Sequence, residues 1–344
     1  MFYFLLIIGS FFLVAVCCGI FFSAPSYHGP LSDHFDGRKF LNPDNAKPRG
    51  LFSLLRWMIS RKRGPWNPQS SVGSSQLPKA LAPSISFVNH STFLICTGQF
   101  NILTDPVWSE RVSPISWLGP KRKTAPGIDF NSLPEIHVVL ISHNHYDHLD
   151  LETIQEIHRR FQPTFYCPLG VGLFLRKNKI QKVTELDWWD ELRIDPSLNI
   201  QCVPAQHFSG RGMLDRDKTL WCGFILDLPL GKIFFAGDTG YSNSIFKTIG
   251  ERLGPMDFSI IPIGAYKPTW FMSPVHCSPE EAVQIHLDVR SQISIASHFG
   301  TFPLADEGRD EAKNDLAIAL KKRGLDPQSF LALREGESIA LKKL

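Results

Sequence analysis

Residues 140 to 150 read LISHNHYDHLD, and His143, His145, Asp147 and His148 set four metal-ligand side chains directly behind an apolar run. Imidazole nitrogens and carboxylate oxygens are ligands for zinc and for other divalent first-row metals. Side chains alternate along extended chain, so His143 and His145 point the same way and can grip one ion. As the chain turns toward a helix beginning near Leu151, Asp147 and His148 face a second ion beside the first, and Asp150 is placed to cap that helix. Two adjacent cations need further ligands and a shared anion. His207 and His298 are candidates for the ligands, and Asp238, whose carboxylate has two oxygens to divide, for the bridge. The chemistry of such a pair is hydrolysis, because it makes hydroxide available at neutral pH and screens a phosphate's charge. His28, His34, His137, His158 and His286 stand alone and read as ordinary surface or partly buried side chains.

The elements that must position these ligands share one pattern. In VVLISHNHYDHLD, IQCVPAQHFSG, IFFAGDTGY and ISIASHFGTF an apolar strand runs into a loop that carries the ligand. Loops at the carboxyl ends of sheet strands converge on one crevice, which brings residues distant in sequence together. Short apolar runs alternate with the helical stretches LETIQEIHRRF, SNSIFKTIGERL, SPEEAVQIHLDV and RDEAKNDLAIALKKRG, predicting an α/β architecture with layered sheets from Ser84 to the end, residues 84–344.

Ahead of that domain, residues 2 to 22 carry no charge over about the length of a spanning helix. No Lys or Arg precedes the run and no small-x-small cleavage site follows it, so residues 1–22 read as a retained membrane anchor rather than a secretory signal. Arg38, Lys39 and later cations would hold the following chain on the cytoplasmic side. Residues 23–83 read as a connector containing GLFSLLRWMISRKRG, an amphipathic helix suited to a membrane surface or to packing on the main domain. The net charge of +3 is too small for a nucleic-acid binder, despite the local clusters SRKRG and GPKRK. Seven cysteines without a CxxC pair read as reduced core thiols.

HxHxDH, a later lone histidine, AGDTG and SHFGT together resemble the signature of the metallo-β-lactamase superfamily. LTDPVWSERVSP, ELDWW, IPIGAYKPTWFM and EGES narrow the resemblance to N-acyl-phosphatidylethanolamine-hydrolysing phospholipase D and its bacterial relatives. The resemblance implies an αβ/βα four-layer sandwich of two mixed sheets with two zinc ions at one edge. It places His143, His145 and His207 on one ion, Asp147, His148 and His298 on the other, and Asp238 between them. It gives His276, after WFM, an active-site role toward the substrate, while Val275 stands where the eukaryotic enzymes usually carry a polar residue. Tyr146 is a candidate for shaping the substrate pocket, and packing explains it equally well. The expected partners are a phospholipid substrate and a membrane surface, with no nucleic acid, and a homodimer is among the expected assemblies. Another phosphodiester or a lactone is the alternative substrate. A non-catalytic binding module is disfavoured because structural zinc sites are closed and usually rich in thiolates.

Overall fold

In the computed structural model, which describes residues 19–66 and 82–342, the apolar runs pair into two sheets of seven strands each. The first takes β1 (Ser84–Asn89), β2 (Thr92–Cys96), β3 (Asn101–Thr104), β4 (Val138–Leu140), β5 (Thr164–Pro168) and β6 (Val183–Leu186) in sequence order. The second runs from β7 (Glu191–Asp195) through β8 (Leu198–Val203), β9 (Gly223–Leu228), β10 (Gly231–Phe235), β11 (Met256–Pro262) and β12 (Ser291–Ser297) to β13 (Phe330–Leu331). The last strand, β14 (Ser338–Ala340), returns to the free edge of β1. Each sheet starts as an antiparallel meander and continues as parallel strands, the change falling at β3–β4 and at β10–β11. Parallel neighbours need crossover connections, which is where the helices enter.

Those helices cover both outer faces. Ile154 and Ile157 of α2 (Leu151–Phe161) and Leu175 of α3 (Val171–Lys177) pack on Leu103, Val139 and Phe165 of the first sheet. Phe246 of α4 (Asn243–Leu253), Val283 of α6 (Pro279–Asp288) and Leu320 of α7 (Glu311–Arg323) belong to the large core around the second sheet. Phe87, Phe93, Phe224, Phe234 and Trp221 fill that same core, each contributing about 1.5–3 kcal/mol by burial. The result is the αβ/βα sandwich of two mixed sheets. Its helices start where their sequences allow: Ser278 and Glu281 close a capping box on α6. Asp150 occupies the N-cap position of α2 without making a cap bond. Its carboxylate instead accepts from Trp108 N, Ser109 N, Ser109 Oγ and Thr153 Oγ1, tying the loop after β3 to the helix.

The segment before the sheets is built into the sandwich. Phe35 and Phe40 are 2% exposed within the main core. Helix α1 (Leu51–Ser60) turns Trp57 inward, where its indole donates to Asp306 Oδ2 at 2.9 Å and stacks on Phe271 of α5 (Thr269–Met272). Its opposite face leaves Phe52 89% and Ile59 88% exposed.

The expected membrane anchor is withdrawn, and with it the cytoplasmic placement argued from it. A span needs about 20 residues in one continuous helix, whereas among the described residues no helix is long and apolar enough to cross a membrane. The described end of the apolar run leaves helical backbone after Phe21, while residues 1–18 of the run lie outside the described residues, as do residues 67–81 of the second loop. The five described cysteines are buried free thiols.

Candidate metal centre

The loop after β4 carries His143, His145, Asp147 and His148 to the edge of the sandwich, where the loops after β8, β10 and β12 bring His207, Asp238 and His298. Two close approaches make this possible. Gly237 sits at φ +62° against the histidine loop, and a Cβ there would lie 2.6 Å from Ser142 Cβ, so only glycine lets the Asp238 loop come so near. Arg211 donates to the carbonyls of Asn144 and Leu149 at 2.8 Å each, clamping the histidine loop from its other side.

The donors form overlapping groups. His143 Nε2 lies 2.8 Å and His207 Nε2 3.3 Å from His145 Nδ1. Asp147 Oδ2 lies 3.2 Å from His298 Nε2 and 3.5 Å from His148 Nε2. Asp238 Oδ2 stands between the groups, 3.1 Å from His298, 3.2 Å from His148 and 3.8 Å from both His207 and His276. Within each group the ligand atoms all lie within 4.8 Å of one another.

This donor set fits divalent cations. His148 Nε2, Asp238 Oδ1 and His276 Nδ1 are buried without a hydrogen-bond partner, and each such atom costs about 1–3 kcal/mol unless something satisfies it. Burial disfavours charge on every imidazole here. It drives His143 and His207 well below the usual histidine range and His145 and His276 down to about 4. For His148 and His298 burial acts in the same direction, but Asp238 and Asp147 outweigh it, raising His148 well above the ordinary value and His298 to about 9. Positive charge is therefore drawn to the point where the two carboxylates meet, and metal ions bind such sites by displacing protons.

Outer partners set the ring orientations. His207 Nδ1 donates to the carbonyl of Val275 at 2.8 Å, so the backbone rather than a polar side chain at position 275 does the holding. His148 Nδ1 donates to Asp105 Oδ2 at 2.6 Å. His143 Nδ1 meets Ser142 Oγ at 2.9 Å, and that hydroxyl donates to the same Asp105 oxygen at 2.6 Å. Such carboxylate–histidine contacts fix the tautomer and leave the other ring nitrogen for a metal. Asp105, at the end of β3, was not singled out by the sequence reasoning, nor was His90 at the end of β1, whose Nε2 lies 3.0 Å from Asp147 Oδ2. Both follow an apolar strand, the same signal that marked the other four loops. Asn42 carried no such signal. Its side chain accepts from His207 N at 2.9 Å and donates to His207 O at 2.7 Å, so the segment read as a connector grips a ligand loop.

A cavity of about 940 Å³ opens over the centre. His145, Asp147, Asp238, His276 and His298 line its floor, and Leu51, Leu54, Trp57, Phe271 and Met272 form an apolar wall. The backbone of His276 hangs from α5 through a bond to Met272 O at 2.9 Å. Tyr146 is not among the lining residues. It faces a neighbouring cavity of about 910 Å³, with its hydroxyl donating to Arg211 O and its ring under the Arg211 guanidinium at 3.9 Å.

Residues 100–299 match the family described as the beta-lactamase superfamily domain. An uncharacterized protein of Mycobacterium tuberculosis is 43% identical over 277 residues, covering 76% of this chain and 73% of its own length. N-acyl-phosphatidylethanolamine-hydrolyzing phospholipase D 1 of Caenorhabditis elegans is 36% identical over 266 residues, 73% of this chain and 74% of the relative. In three dimensions the chain is similar to a metallo hydrolase of the archaeon Ignicoccus hospitalis, with a TM-score of 0.57 at 22% identity, over 74% of this chain and 97% of that one. The matched span reaches from β3 past the last ligand, His298, and so embraces the whole loop cluster; by that match the chain belongs to the metallo-β-lactamase superfamily, and it is a metallo-hydrolase of that fold.

Proposed function

We propose that the protein is a binuclear zinc phosphodiesterase of phospholipase D type, hydrolysing N-acyl-phosphatidylethanolamine to N-acylethanolamine and phosphatidic acid. The observation that carries this reading is the cavity. A single space joins the histidine–aspartate floor to an apolar wall, and Lys39, Lys47, Arg49 and Arg216 also line it. A phospholipid has that same division into apolar chains and an anionic diester. The 36% identity to the Caenorhabditis elegans phospholipase supports the same substrate class.

His143, His145 and His207 would hold one ion, Asp147, His148 and His298 the other, with Asp238 shared. When bound, the ions supply a water of lowered pKa and neutralise phosphate charge. The residues do the rest. Leu54, Trp57 and Phe271 exclude water from the chains and orient the diester over the floor. His276, neutral because burial holds it down to about 4, offers a hydrogen bond to the phosphate or the departing oxygen and carries no competing charge.

The test incubates purified protein with N-acyl-phosphatidylethanolamine in detergent and follows both products, beside a sample stripped with chelator. Release that chelator abolishes is expected. A sample holding two metal ions that releases nothing sinks the lipid assignment and moves the substrate to other phosphodiesters or lactones.

The exposed face of α1 gives a second expectation. Phe52 and Ile59 are 89% and 88% exposed on the same helix whose Leu51, Leu54 and Trp57 line the cavity, as for a helix that rests its apolar face in a lipid surface. Changing both to serine should leave stability unchanged to within about 0.5 kcal/mol per site. Losing two buried anchors of about 1.5–3 kcal/mol each should still cut turnover of vesicle-borne lipid, by about tenfold or more. Detergent-dispersed lipid should be turned over as before. Equal loss on both substrates would count against an interfacial role.

A further inference from the structure

His90 lies in the tight turn between β1 and β2, is 1% exposed, and takes no part in the mechanism above. Its position is held from several directions. Its backbone N donates to Thr301 Oγ1 at 3.0 Å, its carbonyl accepts from His298 N at 2.8 Å, and its φ of +48° sets the side chain across the turn. The ring lies 4.1 Å from that of His298 and meets the edge of Phe302. Its Nε2 ends 3.0 Å from Asp147 Oδ2, and its Nδ1 is buried without a partner.

We infer that His90 is a positioning residue of the centre, donating its Nε2–H to Asp147 Oδ2 and so fixing how that carboxylate meets its metal ion. A proton on Nδ1 would leave a buried N–H unpaired. What separates His90 from His298, whose Nε2 lies 3.2 Å from Asp147 Oδ2 and 3.1 Å from Asp238 Oδ2, is that the Nε2 of His90 reaches Asp147 alone of the two carboxylates. His148, by contrast, gives its Nδ1–H to Asp105 and keeps Nε2 free, as a ligand does. Asp147 would then meet an ion with one lone pair of Oδ2 already committed to a hydrogen bond, and the carboxylate cannot rotate without losing that bond.

The inference rests on the binuclear reading, and the experiment separates the two. Full-length protein loaded with zinc is equilibrated against a chromophoric chelator, and both dissociation constants are read for the wild type, His90→Asn and His90→Gln. Asparagine tolerates left-handed backbone, but its amide stops short of Asp147. Glutamine reaches as far as Nε2 and can donate, yet it is a poor substitute for an imidazole ligand. His90→Asn should hold one ion about 10–100-fold more weakly and the other unchanged, and His90→Gln should restore most of the affinity. Equal weakening of both ions, or none, overturns the inference. A glutamine variant as weak as the asparagine one also overturns it and makes His90 a ligand. Should thermal melts show His90→Asn unfolded, the glutamine variant decides alone: wild-type affinity supports the hydrogen bond, and selective loss of one ion rejects it. A wild type that holds a single ion overturns the binuclear reading itself, before any variant is made.

Discussion

Asp238→Asn should leave a folded protein that turns over its substrate about a hundredfold to a thousandfold more slowly. The substitution keeps the volume of a side chain that is 3% exposed and removes only the charge. That charge stands 3.1 Å from His298, 3.2 Å from His148 and 3.8 Å from His207, so it is the group through which both halves of the centre are balanced. Metal-ion stabilisation of developing charge is worth several kcal/mol, and each 1.4 kcal/mol or so is a factor of ten in rate. Initial rates on a generic phosphodiester, measured beside metal content by mass spectrometry, check the expectation. A variant with full metal and turnover within tenfold of the wild type would remove Asp238 from the mechanism.

Asp105→Ala should damage both stability and metal binding. The carboxylate is fully buried and accepts three hydrogen bonds, from Ser142 N at 2.7 Å, Ser142 Oγ at 2.6 Å and His148 Nδ1 at 2.6 Å. Removing one partner of a buried charged contact costs about 3–5 kcal/mol, because the other partners keep their desolvation without compensation. Urea titration of the metal-stripped protein reads that loss. The metal effect has a distinct signature. Asp105 orients His148 directly and His143 through Ser142, and under the proposed binuclear assignment these histidines would serve different ions, so both should be held about 10–100-fold more weakly. Weakening of one ion only would contradict the relay through Ser142. Asp105→Asn, which keeps the shape, separates the packing loss from the loss of the acceptor.

Much of this was readable from residues alone. The α2 stretch LETIQEIHRRF is long enough to show its period, and the helix spans those residues. The central strands read as apolar runs because the sheets bury them on both faces, as in β2 and β4. The edge elements did not. VTEL of β6 and ELRID of β7 lie at the rims of their sheets, half exposed and mixing charge into the strand, and the seven residues of α3 are too few to set a period. Within the site, four ligand-type residues in six positions announce themselves, and His207, Asp238 and His298 follow from their strand-end setting. His90 and Asp105 sit in the same setting but alone, so only the fold brings them to the cluster. Asn42 belongs to a stretch of Pro, Gly, Asp and Asn whose composition suggests a loop, and composition carries no information about which backbone a loop will hold.

The Asn42 contact ties the fate of the N-terminal arm to the occupancy of the centre. The arm grips both backbone groups of His207 and also accepts from the Trp221 indole at 3.1 Å. Coupling of this kind is reciprocal: whatever free energy the docked arm adds to metal affinity, the bound metal returns to the docking of the arm. Loading the centre therefore amounts to a latch on residues 19–66, which supply none of the proposed ligands, so cleavage in that arm would register at the metals.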